Sequence, residues 1–156
     1  MALEWTYSSE SIDWEELHSL YEATHMGQES AADLKAVFSK SLFGCFAYDS
    51  GRLIAAGRAL QAREGGSYIC GVAVQPDRQG LGIGRELVIR LVLLSRGRRS
   101  IYLHAAAGKE SFYRRLGFKR TGTTMAIDQE QIQALEDGLH SAETPGMTNG
   151  ITKPLP

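Results

Sequence analysis

The stretch from Val72 to Leu87 constrains the fold more than any other. Val72, Ala73 and Val74 read as the end of a buried strand, Pro76 stops it, and Gly80, Gly82 and Gly84 follow at every second position. Ile83, Leu87, Leu91 and Leu94 then recur at intervals of three and four, which predicts an amphipathic helix from about Gly82 to Ser95. Alternating glycines let backbone N–H groups converge where side chains would stand in the way. The helix behind them points its positive end at the same place. A strand, a glycine turn and a helix start in this order bind phosphate.

Two common phosphate loops do not fit. A P-loop puts Lys and then Ser or Thr after its last glycine, whereas Gly84 is followed by Arg85 and Glu86. A dinucleotide loop spaces its glycines G-x-G-x-x-G and places an acid about 20 residues further on. Here the glycines alternate strictly, and Tyr102-Leu103-His104-Ala105-Ala106 holds no acid. A second segment, Phe112-Tyr113-Arg114-Arg115-Leu116-Gly117-Phe118, carries more information. Phe112 and Leu116 fall on one helix face and are expected in the core, with Tyr113 turned toward an edge. Gly117 fits a left-handed helix cap, and Phe118 is expected to open the next strand.

Taken together, Gln79-x-x-Gly82-x-Gly84 and the Phe112–Phe118 segment resemble the coenzyme A loop and the FY-x-x-L-G-F segment of the GNAT acetyltransferase superfamily. The resemblance covers residues 40–127 closely and the first forty only as an order of elements. It implies an α/β (α+β) fold, a mixed and strongly twisted sheet with helices on both faces. It further implies that the strands at 68–74 and 101–105 splay apart to admit the pantetheine arm. The implied activity is N-acetyl transfer from acetyl-CoA, as co-substrate and without a metal, to a primary amine. The amine attacks directly, with no covalent enzyme intermediate. Backbone N–H groups of Gln79, Gly80, Leu81, Gly82, Ile83 and Gly84 would take the pyrophosphate, and Arg85 would add a charged contact. Backbone groups of Val72 and Val74 would pair with the pantetheine as an added strand does. Gly71 would let another chain approach closely. Tyr113 would protonate the leaving thiolate, since a phenol of reference pKa about 10 can donate to a thiolate of about 8.5.

The base is harder to place. An alkyl ammonium is mostly protonated at neutral pH, so its proton needs an acceptor. Many relatives use a carboxylate on the central strand, and Ser67 to Gln75 contains none. His25, Glu22 and His104 are the candidates; a water chain or an arylamine acceptor would also serve. Two rival functions keep the ligand: an acyl-CoA-binding regulatory domain without turnover, and a transferase of a longer acyl group. A module for another nucleotide phosphate is remote.

The chain of 156 residues suits one domain with a real core. A single domain over 1–140 is expected, with a flexible tail over 141–156 that lacks apolar periodicity. A net charge of −1 gives no broad footprint for nucleic acid or an anionic membrane. No apolar run approaches the roughly 18 residues of a membrane span. The start, Met1-Ala2-Leu3-Glu4-Trp5, has no signal-peptide pattern, so a cytoplasmic location is expected. Cys45 and Cys70 read as small buried residues. The expected partners are acetyl-CoA and an amine acceptor, a small molecule or a protein amine, with a homodimer allowed.

The remaining elements follow from caps and periodicity. A strand is expected over 4–9, a helix capped by Asp13, and a second helix capped by Ser30 with Leu34, Val37 and Phe38 inward. A hairpin is expected from Phe43 to Leu60, then strands over 101–105 and 121–127, and a short helix over 129–137. The basic run from Arg96 to Arg99 is expected to complement the negative end of the preceding helix.

Overall fold

The first helix starts follow from their capping residues. Asp13 lies in extended backbone ahead of α1 (Trp14–Ala23), and its carboxylate accepts from the N–H groups of Glu15 and Glu16. Ser30 opens α2 (Ala31–Ser39) through a capping box with Asp33. Leu17, Leu20 and Tyr21 of α1 and Leu34 and Phe38 of α2 are buried. These features belong to a computed structural model, which describes residues 2–122, 127 and 129–142.

Five strands form one sheet in sequence order: β1 (Glu4–Thr6), β2 (Phe43–Asp49), β3 (Arg52–Gln61), β4 (Ser67–Val74) and β5 (Ile101–Leu103). β1 to β4 pair antiparallel, and β4 pairs with β5 in parallel. A parallel pair needs a long crossover, and α3 (Ile83–Leu94) supplies it. One core cluster joins α1 and α2 to Phe46, Leu53, Ala56 and Ala73 of the sheet. A second joins Ile83, Leu87 and Leu91 of α3 to Cys45, Ile54, Ala55, Ala59 and Ile69. Helices therefore cover both faces of a mixed sheet. A Cβ on Gly57 would come within 2.9 Å of Leu91 Cδ1, so α3 rests on bare β3 backbone.

Several boundaries differ from expectation for local reasons. β1 stops at Thr6 because the next N–H groups turn to side chains: Ser8 N–H donates to Thr6 Oγ1 and Glu10 N–H to Ser8 Oγ. β5 ends at Leu103, two residues early, with Tyr102 exposed. α4 (Glu110–Arg115) ends in a Schellman cap, with Gly117 at φ 99 and its N–H on the Arg114 carbonyl. The Phe118 N–H closes that cap on Tyr113, so Phe118 belongs to no strand. Phe112 and Leu116 are half-buried rather than core residues. In the basic run, Arg98 does not serve the helix end. Its guanidinium donates to the Gly66 carbonyl and to Gln61 Oε1, tying the β3–β4 connection.

The chain divides into two compact units, Met1–Phe118 and Lys119–Pro156. In the second unit α5 (Gln129–Ala142) covers the helix expected over 129–137 and continues past it. Thr121, Gly122 and Ile127 belong to no strand, and the rest of the strand expected over 121–127 lies outside the described residues. So does the expected tail beyond Ala142. No helix among the described residues is long and apolar enough to cross a membrane.

Candidate functional site

β4 is fully paired on one side only. It follows β3 from Gln61↔Ser67 to Ala55↔Val74, but it meets β5 only through Ser67, Tyr68 and Ile69. From Cys70 to Val74 the β5-facing edge has no strand partner among the described residues. β5 itself ends at Leu103, opposite Ile69, so β4 runs on beyond it. A bulge marks the start of the open stretch: Ala56 pairs with Ala73 and Arg58 with Cys70, so Gly57 faces both Gly71 and Val72. Gly71 takes φ 64, a conformation that suits glycine.

The direction of Val74 follows from the ladder. Gln75 N–H donates to the Ile54 carbonyl at 2.8 Å, so Gln75 turns toward β3. In an antiparallel pair the bonding alternates, which turns the backbone groups of Val74 to the open edge. The Val74 carbonyl there accepts from Gln79 Nε2 at 3.0 Å. The side chains of Val72 and Val74 pack against the α3 side of the sheet.

The turn between β4 and α3 is held by ion pairs that do not show in the motif. Arg52 of β3 grips Asp77 at 2.8 Å, and Arg78 grips Asp49 of β2 at 2.9 Å. The Arg52 hydrogen bond holds the Asp77 carboxyl below its usual range. After this short 3-10 turn, Gly80 and Gly82 take φ 77 and 85, with open space where a Cβ would stand. Gly84 differs. It lies in the first turn of α3, where a Cβ would touch Val74 Cγ2 at 3.5 Å and Phe112 Cζ at 4.0 Å. The first two glycines shape the backbone, whereas a side-chain carbon at the third would meet only ordinary van der Waals contacts.

From Gly80 to Arg85 no backbone N–H finds an acceptor among the described residues. Gly82, the N-cap of α3, has no side chain to offer one. Ile83 is buried, Leu81 and Arg85 are exposed, and Arg85 makes no ion pair among the described residues. Gln79 differs from its expected role. Its N–H already turns to the Pro76 carbonyl at 3.4 Å, and its side chain clamps Val74.

Tyr113 is half-buried on α4, edge-on to Phe112 at 5.0 Å and to Phe118 at 6.0 Å. Burial raises its phenol above the usual tyrosine range. Of the expected base candidates, His104 packs edge-on against Tyr68 of β4 at 5.5 Å. His25 and Glu22 are exposed at the end of α1, and no side-chain bond joins either to the glycine loop among the described residues. The thiols are poor nucleophiles. Burial pushes Cys45 up to about 12 and raises Cys70.

One contact escaped the sequence altogether. The Tyr21 hydroxyl of α1 donates to the Gly71 carbonyl at 2.7 Å, and a Cβ on Gly71 would lie 2.8 Å from that hydroxyl. The approach that Gly71 permits is thus made by Tyr21, and it pins the bulge. Burial pushes the Tyr21 phenol well above its usual range. Tyr21→Phe leaves the Gly71 carbonyl without its donor and is expected to cost about 1–3 kcal/mol of stability. Urea unfolding reads this, and an unchanged midpoint would mean that the bond contributes nothing.

The acetyltransferase (GNAT) family profile matches residues 7–118, a span that ends where the first compact unit ends. No curated protein sequence matches the chain significantly. Solved structures do match in fold. A GNAT-family acetyltransferase of Streptococcus pneumoniae superposes with a TM-score of 0.69 at 19% identity, covering 82% of this chain and 99% of that one. Glucosamine-6-phosphate N-acetyltransferase of Arabidopsis thaliana gives 0.63 at 14% identity, covering 83% and 99%. AAC(6')-Iy, solved with the bisubstrate analogue CoA-S-monomethyl-acetylneamine, gives 0.67 at 15% identity, also covering 83% and 99%. With its five-stranded mixed sheet, helices on both faces and a family match over most of its length, the chain belongs to the GNAT acetyltransferase family.

Proposed function

We propose that the protein is an N-acetyltransferase that binds acetyl-CoA between the glycine loop and the open edge of β4 and delivers the acetyl group to a primary amine. One observation carries the reading: six successive N–H groups, Gly80 to Arg85, and the edge of Cys70–Val74 beside them both lack backbone partners among the described residues. A pyrophosphate satisfies the first set, and the amides of a pantetheine arm satisfy the second. The positive end of α3 adds to the attraction, and Arg85 is placed to add charge. Gln79 holds the loop against Val74 rather than donating its own N–H.

The acetyl thioester supplies an activated acyl group, and the rest falls to this chain. A β4 N–H near the bulge polarises the thioester carbonyl. The acceptor amine attacks it in its neutral form, the C–N bond forming as the C–S bond breaks, and the proton the nitrogen sheds passes to water, from which the Tyr113 phenol is restored. Tyr113, kept protonated by burial, gives its proton to the departing thiolate. The family match, the name glucosamine-6-phosphate N-acetyltransferase of one neighbour and the CoA-S-monomethyl-acetylneamine bisubstrate analogue bound to another support an amine acceptor.

Incubation with acetyl-CoA and a panel of amines, with free thiol as readout, tests this. Thiol release that needs an amine is the expected result. Tight CoA binding without amine-dependent release would favour a regulatory acyl-CoA sensor. Faster release from a longer acyl-CoA would reassign the acyl group.

A further inference from the structure

Arg58 is the group on the sheet that nothing so far explains. It lies on β3, opposite Cys70, at the bulge where β4 leaves β5. Its side chain is half-buried on the face covered by α1 and α2, with the guanidinium over the Phe38 ring at 5.8 Å. A guanidinium has five N–H donors. Only Nη1 finds a protein acceptor among the described residues, Ser41 Oγ at 3.4 Å. No carboxylate lies within ion-pair distance among the described residues, whereas Arg52 and Arg78 each hold an aspartate and Arg98 a backbone carbonyl. Nε lies 3.8 Å from where a Gly71 Cβ would stand.

The groups that feel this charge most are two phenols and a thiol: Arg58 pulls against burial at Tyr21, Tyr68 and Cys70. Glu29, on the α1–α2 loop, acts on Tyr21 but forms no ion pair with Arg58. A partly desolvated cation with four idle donors is costly to keep without a partner. The planar fork matches the two oxygens of a carboxylate or phosphate.

We propose that Arg58 holds an oxyanion, a carboxylate or a phosphate, carried by the amine acceptor, so that the preferred acceptor is an anionic amine. This rests on the transferase reading above and names its acceptor class. The acceptor then lies over the bulge, with its anionic end on Arg58 and its amine toward the open edge of β4.

Matched amines test it: a carboxylate, a phosphate and a neutral amide on the same carbon frame, compared in kcat/KM for wild type and Arg58→Gln. Hydrogen bonds to a charged group predict that wild type prefers an anionic member about 10–150-fold over the amide. Arg58→Gln should abolish that preference, and Arg58→Lys should retain part of it. The carboxylate and phosphate arms show which oxyanion is read. No preference in wild type, or a preference that survives in Arg58→Gln, overturns the proposal. Equal losses on all three amines, with a lowered unfolding midpoint, also overturn it, since Arg58 would then be structural. If wild type binds CoA but acetylates nothing, the transferase reading fails by itself. Calorimetry of the same anions into CoA-loaded protein then decides: binding lost in Arg58→Gln supports the site, and no binding overturns it.

Discussion

Tyr113→Phe is expected to lower kcat by about 10²–10⁴-fold, the usual contribution of a general acid, with little change in CoA affinity. The substitution removes one oxygen and keeps the ring. Phe112 and Phe118 hold that ring edge-on, and the Phe118 N–H is fixed to the Tyr113 carbonyl by the helix cap. Packing should therefore survive while the proton donor is lost. The pH dependence has a definite sign. Burial raises the Tyr113 phenol, so its acid form persists above the pH at which an ordinary tyrosine ionises. Wild-type kcat should show a falling alkaline limb set by the Tyr113 phenol, separate from the acid-side fall set by deprotonation of the amine, and the Phe variant should lack the alkaline limb. If the variant turns over within a few-fold of wild type, with chemistry rate-limiting, water or the ammonium protonates the thiolate and Tyr113 is a packing residue.

Gly82→Val should weaken CoA binding about 100-fold or more, since each hydrogen bond to a charged group contributes about 1.5–3 kcal/mol and the distorted loop loses at least two of them. Gly82 takes φ 85, which costs an L-residue about 1–2 kcal/mol and a β-branched one more. No atom lies within 4 Å of the new Cβ, so the variant relieves strain by moving the loop rather than by disturbing the core. The fold should persist, as judged by circular dichroism, while the N–H groups of Gly80 to Arg85 no longer converge. Calorimetry with CoA reads the loss. Unchanged affinity in a folded variant would place the pyrophosphate elsewhere.

What could be read from the sequence was local. Asp13, Ser30 and Gly117 cap helices at the positions their chemistry suggests, because a cap acts within one turn. The glycine loop was legible because its geometry depends on backbone angles encoded residue by residue. What escaped was the result of pairing between distant segments. Tyr21 reaches Gly71 across fifty residues of chain, and Arg58 meets Cys70 only through a bulged register. Arg52 and Arg78 fix the β4–α3 turn from two other strands' carboxylate and guanidinium groups. Arg98 shows the same limit. Beside a helix end it looked like a dipole partner, yet a carbonyl on the β3–β4 connection claimed it. The length of β5 depended on how far its ladder with β4 runs, which no property of Ile101 to Ala105 records.

In the proposed complex CoA lies on the N–H groups of Gly80 to Arg85 and along the open edge of β4. Backbone amide NMR during a CoA titration tests it most directly. Large, saturable shifts are expected at Gly80, Leu81, Gly82, Ile83, Gly84 and Arg85, with further shifts at Val72 and Val74. Saturation with CoA that leaves these amides still, while signals elsewhere on the sheet move, would contradict it.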